Sequence, residues 1–183
     1  MRIQIDKLLQ IPNSPTESQN FWLNYGLSLT EELKSQSGEA ELEVLSQTWT
    51  QPNWWDKFTL GLSDAPLIHR DILMFSQQIP CWFARTIIPE DTYNKNRAIF
   101  DRLAEESLGC IVFNEPTIKR ELIHNYAIND RCLEYHWLPE QLKKSFTNQK
   151  IILDLRLSIF KIAEKTSCCL VEILLPGLLK VVK

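Results

Sequence analysis

The sequence predicts an α+β fold, an antiparallel sheet with helices packed on it. Two observations lead there: β-rich runs that fall into two hairpins, and helical stretches marked by capping residues before and between them. The apolar fraction of 44% supplies enough core for such a fold and argues against disorder.

Ser14-Pro15-Thr16-Glu17 has Ser at the N-cap and Pro at the first helical position, so a helix carrying Phe21, Trp22 and Tyr25 is expected, stopping at Gly26. A second helix is expected from Ser28 or Thr30 to near Gly38. Together they form a helix–turn–helix only in the general sense, because the acidic first turn argues against a nucleic-acid-reading surface. Ala40–Thr50 switches to period two and predicts a strand, followed by a loop over Gln51–Pro66. Leu67–Phe75 and Cys81–Ile88 predict a hairpin. Asn96–Glu106 has helical spacing, Cys110–Phe113 predicts a short strand, and Pro116–Tyr126 a helix opened by Pro. Asp130–Gln149 is expected as loop with one helix around Pro139–Lys144, and Ile151–Ile162 with Ser167–Leu175 closes the chain as a second hairpin.

A length of 183 residues predicts one domain spanning 1–183. The 20 basic and 23 acidic side chains lack the basic excess of a nucleic-acid binder, so no nucleic-acid partner is expected. The five cysteines contain no C-x-x-C pair and predict neither a zinc site nor a disulfide scaffold, which points to reduced thiols in a cytoplasmic protein. The start MRIQIDKLLQIP carries Asp6 inside any apolar stretch and is not read as a signal peptide. Cys168–Val182 is broken by Glu172, Pro176 and Lys180, so no membrane span is expected.

Three charges stand where alternation expects apolar side chains. Ile68, Arg70, Ile72 and Met74 share one strand face, and Cys81, Phe83, Arg85 and Ile87 share one on the partner strand. A two- or four-residue loop centred on Gln77-Gln78 places Arg70 directly opposite Arg85 on one apolar face. Like charges there are destabilising unless an anion answers them. Glu172 lies in a run apolar on both faces, which predicts a central strand. Two readings follow. Glu172 neutralises one arginine in a structural ion pair, or two arginines and one carboxylate line a closed pocket for a small anion. His69 falls on the face opposite Arg70 and reads as structural, Cys168-Cys169 as core, and Lys143-Lys144 as a solvated helix face. No phosphate-binding glycine loop or nucleophile elbow is present.

These segments resemble the chorismate–pyruvate lyase family. Leu67-Ile68-His69-Arg70-Asp71-Ile72-Leu73 with Phe83-Ala84-Arg85-Thr86-Ile87-Ile88-Pro89 is similar to the family's R-(D/E)-I-L hairpin ending in R-T-(V/I)-(V/I)-P. Leu108-Gly109 resembles its P-L-G segment, Arg156-Leu157-Ser158-Ile159-Phe160 its R-R-S-(V/L)-F strand, and Leu170–Pro176 its T-E-(V/L)-F-L-P ending. Weaker matches at Trp22-Leu23 and Ser28-Leu29-Thr30 extend the similarity over most of the chain.

The resemblance implies a sheet of about six antiparallel strands with helical flaps over an enclosed site, and conversion of chorismate to 4-hydroxybenzoate and pyruvate, the first step of ubiquinone biosynthesis, with no cofactor or metal; a monomer is expected. Aromatisation of the ring supplies much of the driving force. It implies that Arg70 binds the ring carboxylate, that the Leu108 backbone N–H contacts the same group, and that Glu172 hydrogen-bonds the 4-hydroxyl, as orienting group or base. Leu29 falls where the family often has Met in a flap, and Arg85 matches a second arginine expected to face the enolpyruvyl carboxylate. The chain departs from the pattern at Ser107 (for Pro) and Val171 (for Thr), in a longer turn at Ala163–Thr166, and in a long segment over Ala127–Lys150. The competing reading is a non-catalytic effector domain of the same fold that binds a small aromatic carboxylate. Such domains normally follow a winged helix–turn–helix, and the first strand expected by Ala40 leaves no space for one.

Overall fold

The computed structural model describes residue 4 and residues 8–104, 106–146, 150–163 and 165–182. Asp6 of the leader argument, part of the 163–166 turn and the end of the 130–149 loop lie outside these residues. The frame is a six-stranded sheet in the order β1-β2-β3-β6-β5-β4, antiparallel at every pairing.

The chain begins with α1 (Glu17–Asn24), whose N-cap is Thr16 rather than Ser14; Thr16 and Gln19 form a reciprocal capping box. α2 (Leu29–Ser37) is capped by Ser28 and ends at Gly38 in the left-handed region, as expected. The edge strand β1 (Glu41–Thr50) leads to α3 (Trp54–Leu60), which replaces part of the expected loop. Its signal is a capping box between Asn53 and Asp56, with Gly61 closing the helix at positive φ.

β2 (Leu67–Ser76) and β3 (Ile79–Pro89) form the expected hairpin around Gln77-Gln78, both at positive φ. The register differs from expectation. Phe75 pairs with Pro80 but Met74 with Trp82, so Cys81 is an extra residue in β3, a bulge. Beyond it Arg70 faces Thr86, and Arg85 pairs with Asp71. One inserted residue moves every later β3 side chain to the other face. Arg85 therefore does not stand opposite Arg70.

α4 (Glu90–Lys95) follows β3, and in place of the expected 96–106 helix stand the short α5 (Arg97–Phe100) and a 3-10 turn at Asp101–Ala104. Cys110–Phe113 is not a strand: it lies in α6 (Leu108–Asn114), capped by Ser107, with Leu108, Ile111 and Val112 buried. Pro116–Tyr126 is not a helix. Those residues enter the second edge strand, β4 (Ile118–Ile128), which pairs with β5 (Leu153–Ile162). Between them come a 3-10 turn at Leu133–Trp137 and α7 (Glu140–Phe146). β6 (Thr166–Leu174) is buried along almost its whole length between β3 and β5, as its continuous apolar run predicts. α8 (Leu178–Val181) ends the fold, and Gly177 is required just before it, because a Cβ there would meet the Pro80 carbonyl oxygen.

Two apolar layers sandwich the sheet. On the upper face α1, α2, α5, α6 and α8 pack on even-numbered residues of β2, β3 and β6. On the lower face α3 and residues 132–146 pack on Leu73, Phe83, Ile87, Leu157 and Val171. Cys168 and Cys169 point into opposite layers, both fully buried. Among the described residues no helix is long and apolar enough to cross a membrane.

Candidate functional site

Antiparallel pairing aligns side chains in rows across the upper face. One row runs Arg70, Thr86, Leu170, Ser158 and Ile123; the next runs Ile72, Ala84, Glu172, Arg156 and Asn125. Arg70 and Glu172 are thus two strands and one row apart, about 10 Å sideways and about 7 Å along the strands. Between them lies an apolar floor of Ile72, Ala84 and Leu170, with Met74 and Trp82 at its end. Leu29 and Thr30 of α2, and Leu108, Gly109 and Phe113 of α6, form the roof. Glycine at position 109 lets α6 approach α2, since a Cβ there would lie 3.2 Å from the Ser28 hydroxyl.

The structure brings four of the expected residues, Arg70, Glu172, Leu108 and Leu29, around this one cavity. It separates the fifth. Arg85 lies on the lower face, where Nε and a terminal nitrogen donate to the two Asp71 oxygens at 2.7 and 2.6 Å, and the guanidinium sits 4.5 Å from the Trp137 ring centroid. The expected second arginine of the site is instead Arg156, 1% exposed, whose Nε donates to Glu172 Oε2 at 2.5 Å. Its motif was noted in the sequence; its inward face became legible only with the β5–β6 register, which sets it opposite Glu172.

Arg70 is 1% exposed. Its guanidinium donates to the carbonyls of Leu103 and Glu106, while Nε has no partner among the described residues. No carboxylate forms an ion pair with it among those residues. Burial pulls its pKa down to about 10, the signature of a charge removed from water without a counter-charge. Arg156 also donates to the carbonyls of Trp22 and Tyr25, tying α1 to the sheet.

The cavity holds only about 20 Å³. That is room for about one water, whereas a benzene ring fits a cavity on the order of 150 Å³. Any ring-sized ligand therefore requires the roof to move. A larger concavity, an open groove of about 870 Å³ lined by residues such as Arg131, Tyr135 and Ile152, is elsewhere and borders residues outside the described set. Among the described residues no group of three His, Cys, Asp or Glu side chains could hold a metal ion.

Fold and site define the class: an α+β domain whose sheet and roof helices surround a small cavity lined by Arg70 and the Arg156–Glu172 pair. The chain belongs to the chorismate lyase family, whose sequence model matches residues 7–136. That stretch contains Leu29, Arg70, Arg85 and Leu108; Arg156 and Glu172 come from the β5–β6 hairpin beyond it. The chain is 28% identical to a probable chorismate pyruvate-lyase of Aromatoleum aromaticum, over 63% of each chain. It is 32% identical to one of Idiomarina loihiensis, over 57% of this chain and 52% of that one. It therefore spans less than two thirds of the length of these relatives. A match to a probable chorismate pyruvate-lyase of Pseudoalteromonas translucida, 26% identical, covers 85% of this chain and 83% of the relative.

Among solved structures, the effector domain of PhnF from Mycobacterium smegmatis superposes with a TM-score of 0.56 at 15% identity, covering 81% of this chain and 88% of that one. A GntR-family regulator from Bacillus cereus gives 0.53 at 16% identity, over 75% and 92%. These likenesses establish the α+β fold.

Proposed function

We propose that the enclosed site binds chorismate and releases 4-hydroxybenzoate and pyruvate, the first step of ubiquinone biosynthesis. The observation that carries this reading is Arg70, a buried guanidinium answered among the described residues only by neutral carbonyls, across an apolar floor from the Arg156–Glu172 pair. A flat ring with a carboxylate at one end and an oxygen substituent at the other matches that layout. Membership of the family supports the same substrate.

In this reading Arg70 takes the ring carboxylate as a bidentate partner. Leu108 is the first residue of α6, so its N–H has no acceptor within the helix and is free to join Arg70 on that carboxylate. Arg156 fixes Oε2 of Glu172, leaving Oε1 for the 4-hydroxyl. Arg156 also takes the place given to Arg85, close to the side-chain ether, where a cation stabilises charge developing on the departing enolpyruvate oxygen. The C3–O bond breaks, the electron pair leaves with the enolpyruvate, and loss of the C4 proton aromatises the ring. Glu172 accepts that proton, or it passes within the substrate to the enolpyruvyl methylene. The closed roof keeps a reactive conformer dry.

A second reading, a non-catalytic domain that binds an aromatic carboxylate, draws on the likeness to effector domains. Purified protein incubated with chorismate, followed by ultraviolet absorbance and a pyruvate assay, separates the two. Stoichiometric 4-hydroxybenzoate and pyruvate are expected. Folded protein that yields neither, yet is thermally stabilised by 4-hydroxybenzoate, is the effector-type domain instead.

A further inference from the structure

The site is too small for a ring as it stands, so the roof must open for each ligand that enters or leaves. Its outer part is α1, α2 and the turn joining them. Two arginines of the sheet reach the backbone of α1 and this turn. Arg156 donates to Trp22 and Tyr25 through one terminal nitrogen, but its Nε is committed to Glu172. Arg120, on the edge strand β4, donates to three successive carbonyls of the turn: Tyr25 at 3.4 Å, Gly26 at 3.2 Å and Leu27 at 3.5 Å.

Arg120 differs from an ordinary structural arginine in three respects. No carboxylate forms an ion pair with it among the described residues, and its Nε is buried without a partner. Its guanidinium lies over two rings, 4.7 Å from the Phe113 centroid and 5.3 Å from that of Phe160. Phe113 is itself a wall of the cavity. The face of the guanidinium is thus held on the two rings, while its terminal nitrogens hold the turn through bonds at the long end of the hydrogen-bonding range. The carbonyls it meets lie at the C-terminal end of α1, where the helix dipole favours a cation.

Resting on the reading of this cavity as the substrate site, we propose that Arg120 is a positioning residue that latches the turn Tyr25–Leu27 to the edge strand and so sets how readily the roof opens. Three long bonds to neutral acceptors release easily, and the guanidinium keeps its place on the two rings while the turn swings out. A charge-free group of similar length keeps the packing and loses the latch.

Hydrogen exchange of the ligand-free protein tests this without reference to activity. Arg120→Met is expected to speed amide exchange about tenfold across residues 17–37, a change of about 1.4 kcal/mol in local opening, while β2, β3, β5 and β6 exchange as before. Arg120→Lys is expected to recover part of the protection. Unchanged exchange in 17–37, or an equal acceleration throughout the sheet, overturns the latch. A parallel stopped-flow measurement is expected to show faster dissociation of 4-hydroxybenzoate from Arg120→Met than from the parent protein. If the parent binds no 4-hydroxybenzoate, the proposed function fails, and the exchange data still decide the latch.

Discussion

The two faces of the sheet both bury arginine and carboxylate, and they use them differently. On the lower face Asp71 meets Arg85, His69 meets Asp56 at 3.1 Å, and Glu134 accepts from the Trp55 indole and the Tyr126 hydroxyl, both at 2.8 Å. Each of these groups is answered by another protein side chain, and the result is attachment: α3 and residues 132–146 are tied to the sheet. Burial, aided by the Glu134 carboxylate, pushes the Tyr126 phenol well above its ordinary pKa. On the upper face Arg156 meets Glu172, but Arg70 meets only carbonyls among the described residues. A buried cation left over after pairing destabilises the fold unless something else repays its desolvation. The proposed anion site on the upper face rests on that surplus, more than on the presence of charge.

Several measurements sharpen or break this contrast. The largest effect is expected on the upper face. Glu172→Gln keeps the size of the side chain and should lower chorismate turnover of the folded protein by about 100-fold, in line with a positioned acid–base group, and it should also cost about 3 kcal/mol of stability because Arg156 loses its buried counter-charge. Near-normal turnover would limit Glu172 to orienting the hydroxyl. On the lower face the expected effect is on stability alone. Asp71→Ala strands Arg85 in a largely buried setting and should cost about 2 kcal/mol in chemical denaturation, with 4-hydroxybenzoate affinity unchanged.

A smaller effect belongs to the β2–β3 turn, which serves both faces. Gln77 and Gln78 adopt positive φ, at 51° and 60°, in a turn where Asn-Gly is preferred. Gln78→Gly should stabilise by about 0.5–1 kcal/mol through relief of backbone strain. The smallest effect is a pH slope on the lower face. The buried Nε2 of His124 has no partner among the described residues, and burial lowers its pKa from 6.5. The unfolded chain therefore binds the proton more readily. Stability is complete above about pH 6.5 and declines as pH falls below it, and His124→Gln should flatten that decline in a pH series of melting temperatures.

Much of the upper face was legible in the sequence because charge is conspicuous against strict alternation. Arg70 and Glu172 interrupt apolar faces, and the family resemblance added Leu108 and Leu29. Arg85 misled for a specific reason. The hairpin turn was placed correctly, but the bulge at Cys81 inverts the facing of every β3 residue beyond it, and nothing in a run of Cys, Trp and Phe announces one extra residue. Arg156 does not stand out within its motif, because its same-face neighbours Asp154 and Ser158 are polar. The short apolar run at 110–113 fits strand and helix alike, and only the Ser107 cap favours the helix observed. The 118–128 strand was taken for a helix because an edge strand with polar side chains shows weak alternation. The helix at 54–60 could have been found from its capping box and Gly61.

The central claim is that the anion site lies on the upper face, at Arg70, and that Arg85 belongs to the frame beneath it. Calorimetric titration of 4-hydroxybenzoate into Arg70→Ala and Arg85→Ala, side by side with the parent protein, tests it most directly. Arg70→Ala should weaken binding by at least about 30-fold, the loss of about 2 kcal/mol or more from a desolvated charge pair, whereas folded Arg85→Ala should bind as the parent does. Retained affinity in Arg70→Ala, or its loss in folded Arg85→Ala, would contradict the account.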